Sequence, residues 1–179
     1  MAKLNDCPKF NPNENDYYTN KQMWENISHL IPKDKKIYEM CLLNSKSKSL
    51  EYWREIGYDI IGNETWDCLT YTPIEEYDMI ITNPPFETKI KQKILKKLVE
   101  IDKPFIIILN CMNIYSKYFR DIFGDNIKYL QTIIPRGKIK FEKYNEEKEC
   151  LEKCKTDPAF YCCYLTYKMN IPNEDLWLK

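Results

Sequence analysis

The sequence predicts an α/β fold: a mostly parallel sheet with an antiparallel hairpin at its C-terminal end. Three observations carry this reading. Short apolar runs alternate with helix-length amphipathic segments between residues 21 and 134. The run Phe105-Ile106-Ile107-Ile108-Leu109 is apolar throughout, which suits a strand covered on both faces inside a parallel sheet. Finally, two strand-length segments, 135–141 and 159–167, have no helix between them and are expected to pair as the hairpin.

Residues 1–20 are polar, rich in Asn and Pro, and read as an N-terminal arm. Segment 21–30 carries Met23, Trp24, Ile27 and Leu30 at helical spacing, and Pro32 stops it. A strand near 36–40 leads to a helix over 46–56, which turns Leu50, Trp53 and Ile56 toward the sheet and closes at Gly57. Strands over 58–62 and 77–82 come next. The helix 88–101 has Ile90, Ile94, Leu95, Leu98 and Ile101 on one side, and Lys89, Lys91, Lys93, Lys96 and Lys97 as a basic, solvated face. Beyond the central strand, a helix over 114–123 turns Ile114, Tyr118, Ile122 and Phe123 inward and stops at Gly124. A strand over 127–134 precedes the hairpin, whose arms flank a charged, cysteine-bearing loop at 142–158.

A chain of 179 residues, 44% hydrophobic, builds one good core and is of single-domain size. Lys plus Arg equals Asp plus Glu at 27 each, so the net field draws in no polyanion and any nucleic-acid contact needs a local basic face. There are eight cysteines, and the first residues hold no apolar signal-like run, so free thiols in a reducing intracellular compartment are expected. The adjacent Cys162 and Cys163 point to opposite faces of a strand and do not readily share a metal ion with Cys150 and Cys154. Since no apolar stretch approaches the roughly 20 residues of a membrane span, a soluble protein is expected. Abundant Lys, Asn, Ile and Tyr with only four glycines fit an AT-rich genome, such as that of a large DNA virus or phage.

The strand Tyr77-Asp78-Met79-Ile80-Ile81-Thr82 runs directly into Asn83-Pro84-Pro85-Phe86. The second proline has no N–H and a fixed φ, and it holds the first one extended, so the chain leaves the strand as a stiff elbow. An Asn oxygen and a neighbouring backbone carbonyl together accept both hydrogens of an exocyclic amine, and Phe86 offers a ring face to a planar base. The plainer alternative is an ordinary turn between strand and helix.

Asn83-Pro84-Pro85-Phe86 resembles the Asp/Asn-Pro-Pro-Tyr/Phe/Trp motif of S-adenosylmethionine-dependent amino-methyltransferases, most closely the DNA adenine-N6 methyltransferases. It is also similar to the motif of glutamine-N5 methyltransferases of release factors and of some RNA adenine enzymes. Asp16-Tyr17-Tyr18-Thr19-Asn20 with Trp24 resembles the family's opening aromatic-Thr-Pro turn over the methionine end of the cofactor, with Asn20 where proline is usual. Lys36-Ile37-Tyr38-Glu39 resembles the first strand with its terminal acid, and Trp66-Asp67-Cys68-Leu69 the Asp-Phe-Leu segment that flanks the cofactor adenine. Arg136-Gly137-Lys138-Ile139-Lys140-Phe141 resembles the Gly-Arg-Ile-x-Phe segment, whose aromatic packs on the flipped base. With Asp157-Pro158-Ala159-Phe160 downstream, its context is similar to that of small viral and phage enzymes. The resemblance covers most of residues 14–170.

This resemblance implies a Rossmann-like class I methyltransferase domain over residues 1–179, with S-adenosylmethionine as cofactor and the adenine N6 amine of DNA as acceptor. It assigns Asn83, Pro84, Pro85 and Phe86 to catalysis. Tyr18, Thr19, Glu39, Glu64, Asp67 and Asn83 fall to the cofactor, and Phe86, Arg136, Lys138 and Phe141 to the target nucleotide; no metal is implied. Phe141 reads equally as a core-facing strand aromatic, Asp59 as a surface ion pair, and the lone His29 as structural. Little length remains for a target-recognition domain, so selectivity calls for a homodimer mate, a partner subunit or a short loop, and the acceptor stays open among duplex DNA, single-stranded DNA and RNA. One segment departs from the family. Where it has Glu/Asp-x-x-x-Gly-x-Gly, this chain reads Glu39-Met40-Cys41-Leu42-Leu43-Asn44-Ser45, and a turn without glycine is more crowded. That departure keeps a second reading open, a catalytically silent scaffold subunit.

Overall fold

The predicted alternation is present in the structure, a computed structural model that describes residues 17–42, 46–62, 67–154, 159–173 and 176–178. In chain order the elements are β1 (Tyr18–Thr19), α1 (Lys21–Ser28), β2 (Lys36–Glu39), α2 (Ser49–Ile56), β3 (Asp59–Ile61), β4 (Met79–Thr82), α3 (Thr88–Ile101) and β5 (Phe105–Asn110). A 3-10 turn (Cys111–Tyr115), α4 (Lys117–Phe123), a second 3-10 turn (Gly124–Tyr129), β6 (Leu130–Ile133), β7 (Phe141–Asn145), β8 (Cys150–Lys153) and β9 (Cys162–Tyr167) complete the order.

The main sheet has six strands in the order β3-β2-β4-β5-β9-β6. The first four are parallel, and β9 runs antiparallel to both of its neighbours. Strand β5 shows why its sequence has no polar face. Ile106 and Ile108 point into one core with Trp24, Ile27 and Trp53, from α1 and α2. Phe105, Ile107 and Leu109 point into the other with Ile94, Leu98, Phe119 and Phe123, from α3 and α4. Helices thus cover both faces in the Rossmann-like manner, and burial supplies most of the driving force at roughly 25 cal/mol per Å² of apolar surface.

The hairpin differs from its prediction. Segment 159–167 does not pair with 135–141: β9 inserts between β5 and β6, with Ile108 opposite Tyr164 and Ile133 opposite Tyr164 on the other side. Every residue of β9 is buried, so the strand belongs in the sheet interior and not at an edge beside Pro135 and three cations. The segment expected to be a charged loop contains strands. Within 142–158, β7 and β8 form a hairpin of their own, and the arm contributes β1, with Thr19 opposite Phe141, to a separate sheet ordered β1-β7-β8.

From β2 the chain crosses to β3 on one side and then returns to place β4 on the other, so β2 and β4 flank a topological switch point. In open α/β sheets the crevice beyond the carboxyl ends of such a pair is where ligands bind. Glu39 ends β2 and Thr82 ends β4, one residue before Asn83. Among the described residues no helix is long and apolar enough to cross a membrane, and the cysteines are free thiols.

Candidate active site at the switch point

Asn83 leaves β4 half-buried, between the buried Thr82 and the buried Pro84. Its Nδ2 donates to the Tyr17 carbonyl at 2.8 Å. That bond fixes which way the amide faces, because a carbonyl accepts only from the NH₂ side. The other end, Oδ1, is buried and has no hydrogen-bond partner. Buried acceptors are nearly always paired, so an orphan held in a fixed orientation marks a place for a donor from outside. Because the prolines at 84 and 85 bring no N–H to the elbow, its carbonyls depend on side chains or ligands. Lys91 serves one of them: its Nζ donates to the Phe86 carbonyl at 3.1 Å.

Lys91 was expected on the solvated face of α3, yet it is 4% exposed. Burial lowers its pKa, with the Cys162 thiol opposing that shift. A long apolar stem lets the side chain be buried while the ammonium turns to the Phe86 carbonyl.

At the neighbouring strand end Glu39 is 3% exposed, and its Oε2 accepts from Ser49 Oγ at 2.6 Å. Thr82 and the Cys41 N–H lie beside the carboxylate and bond each other at 3.0 Å, while Oε1 has no donor in hydrogen-bond geometry. Burial pushes its pKa up to about 7, against the Ser49 bond. A third acceptor, Thr19 Oγ1 in β1, is likewise buried without a partner. The arm reaches this position because Asn20 caps α1 through Gln22 N at 3.0 Å and donates to Glu142 Oε1 at 2.8 Å. Glu142 also accepts from Tyr52 at 3.1 Å, which ties β1, α2 and β7 together.

The glycine-free loop after β2 turns Met40 and Leu42 into buried positions. Room for Leu42 comes from Gly62, directly after β3. A Cβ on Gly62 would lie 2.8 Å from Leu42 Cδ1, 3.0 Å from the Glu39 carbonyl oxygen and 3.1 Å from Leu50 Cδ2. Asn44 and Glu64 lie outside the described residues. Asp67 folds back on its own turn, accepting from Leu69 N at 2.9 Å and Thr70 Oγ1 at 3.1 Å. Next to it, Cys68 packs against the same core as Cys41, with Tyr38 and Ile80.

Phe86 does not stand alone. Its ring lies 4.8 Å from Phe160, 5.7 Å from Phe141 and 5.8 Å from Tyr17, the last two edge to face. Phe141 is 3% exposed and belongs to the core, as the plainer reading had it. Around this aromatic cluster, Arg136 is exposed, and Lys138 stacks over the Tyr161 ring at 4.9 Å. Asp59 is the surface group expected, 4.0 Å from Lys36 Nζ, and His29 is an exposed residue at the end of α1.

The fold therefore gathers Thr19, Glu39, Asn83, Phe86 and Phe141 around the switch point, keeps Arg136 and Lys138 outside it, and engages Asp67 in a turn. Sequence reasoning missed Tyr17, Lys91, Gly62 and Phe160 as contributors. Tyr17 and Phe160 stand inside motifs that resembled the family's, but a backbone carbonyl as partner and a neighbour across the sheet leave no mark in a linear pattern.

No family model matches the chain. The human Sterile alpha motif domain-containing protein 9 is similar at 26% identity over 156 residues, which is 82% of this chain but only 9% of that protein's length. Among solved structures, a SAM-dependent O-methyltransferase from Thermotoga maritima aligns at 12% identity with a TM-score of 0.41, covering 82% of this chain and 64% of that one.

Proposed function

We propose that this protein transfers a methyl group from S-adenosylmethionine to the N6 amine of adenine in DNA. The observation that carries the reading is Asn83: a buried Oδ1 without a donor, oriented by the bond from Nδ2 to Tyr17 and standing at the switch point of a Rossmann-like sheet. An exocyclic amine brings two N–H groups. One is taken by Asn83 Oδ1 and the other by the Pro84 carbonyl, which directs the nitrogen lone pair out of the base plane. Phe86 holds the base.

The residues present fit the cofactor. Glu39 Oε1 and Thr19 Oγ1 are orphaned acceptors suited to an ammonium and a ribose hydroxyl, and Glu39 sits where the resemblance implies a cofactor contact. When bound, the cofactor supplies an electrophilic methyl on a sulfonium. The chain's own work is positioning and acceptance of hydrogen bonds; the proton lost from nitrogen passes to water, so no histidine base is needed. A target inside a duplex must first leave the stack, at a cost of about a few kcal/mol that an unpaired adenine avoids. RNA adenine and protein glutamine present the same planar amine and are rival acceptors of the same chemistry.

A silent scaffold is the second reading, favoured by Met40 and Leu42 filling the loop where glycines would leave room for a ligand. Incubation with methyl-labelled cofactor and adenine-bearing oligonucleotides, read by mass spectrometry of nucleosides, tests the proposal. N6-methyladenine formed by wild type and absent with Asn83→Ala supports it. No product from DNA, RNA or glutamine peptides, together with no calorimetric binding of the cofactor, overturns it in favour of the scaffold.

A further inference from the structure

Residues 159–162 cross from the surface to the sheet in four steps, and they alternate. Phe160 packs into the aromatic cluster 4.8 Å from Phe86, Tyr161 is 65% exposed, and Cys162 begins the buried β9. One stretch of chain thus gives one ring to the site and the next ring to solvent. The Tyr161 carbonyl accepts from Cys111 N at 2.9 Å, which fixes it against the 3-10 turn that follows β5. That turn carries two more exposed apolar side chains, Met112 at 71% and Tyr115 at 79%. Lys138 lies over the Tyr161 ring, and Arg136 and Lys140, two residues to either side of it in the chain, are exposed, while Ile139 turns inward at 1% exposure.

We infer that Tyr161, Tyr115 and Met112, with Arg136 and Lys138, form a stacking rim that holds single-stranded nucleic acid on the flanks of the target base. This rests on the proposed acceptor and extends its site. Exposed rings beside cations suit unpaired bases, because every base offers a π-face once it leaves a duplex and the neighbouring phosphates meet the cations. A duplex buries those faces, and a chain with no net charge gives its phosphates little long-range attraction. Continuity with Phe160 and Phe86 places the rim where the nucleotides next to a bound adenine must pass.

The test is fluorescence anisotropy of a labelled 12-nucleotide strand, as DNA and as RNA, alone and in duplex, with wild type, Tyr161→Ala, Tyr161→Phe and Tyr115→Ala. Single strands should bind at least tenfold tighter than duplex. Each ring-to-alanine change should weaken that binding about tenfold, the order found for a stacking ring, and Tyr161→Phe should restore it. Ile74→Ala, at a position 95% exposed and outside the rim, should change nothing. Strand binding without methyl transfer would keep the rim and sink the proposed function. Methyl transfer with equal duplex binding, or with no effect of Tyr161→Ala, would sink the rim alone. A concentration-dependent dimer abolished by Tyr161→Ala would also overturn it, by making this face a contact between copies.

Discussion

Asn83 spends its donor on the protein and keeps its acceptor, and this division sets the sharpest expectations at the level of single residues. Asn83→Ala should lower methyl transfer by roughly 10²-fold, the scale of one preorganised polar contact to a reacting group, while circular dichroism stays unchanged. Glu39 gives a second. Its folded pKa, about 7, is above the ordinary 4.5, so the fold favours the protonated acid. The stability from that protonated form is full below pH 4.5 and is lost as pH rises through about 7. Glu39→Gln keeps an acceptor for Ser49 and removes the titration. Its stability advantage in urea melts should therefore be nil near pH 4.5 and grow to a plateau of up to about 3 kcal/mol above pH 7. A flat difference across that range would mean that Glu39 is not desolvated.

Two elements are held by residues whose type alone did not disclose the task. Helix α3 begins at Thr88 without a side-chain cap at Glu87, and Lys91 reaches back from its first turn to the Phe86 carbonyl. The clasp joins the helix to an elbow that two prolines have stripped of donors. Lys91→Met, which keeps the stem, should reduce kcat roughly tenfold, the value of one charged hydrogen bond. It should leave cofactor affinity nearly unchanged, and Lys91→Arg should recover part of the loss; equal losses in both kcat and affinity would point to general unfolding instead. At the end of β3, Gly62 leaves the space that Leu42, Leu50 and the Glu39 carbonyl occupy. Leucine tips rotate away, but a backbone oxygen at 3.0 Å does not, so Gly62→Ala should destabilise the protein by about 1–3 kcal/mol in chemical denaturation.

Across the whole molecule, protection should follow the sheet. Strand β5 lies between β4 and β9 with its first five residues wholly buried, whereas β8 is a partly exposed edge of the smaller sheet. Hydrogen exchange should be slowest in 105–109 and 163–166 and fastest in 146–153; the reverse order would mean that the arm's small sheet is the stable unit. Helix 88–101, all but the first three residues of the helix predicted at 46–56, the central strand and the elbow at 83–86 were legible in the chain, because periodicity, glycine and proline act within a few residues of themselves. The partner of β9 was not, since any strand of alternating length can pair with any other until burial on both faces assigns it to the interior. The same holds at the site. Sequence by itself determined that Asn83 would stand on a rigid turn after a buried strand, and that no glycine would follow Glu39. Only the tertiary structure decided that Tyr17 would take the Asn83 donor, that Lys91 would leave solvent for the Phe86 carbonyl, and that Gly62 would supply the missing room. The reason is physical: backbone stiffness is local, whereas pairing and burial depend on neighbours that the chain brings back from far along its length.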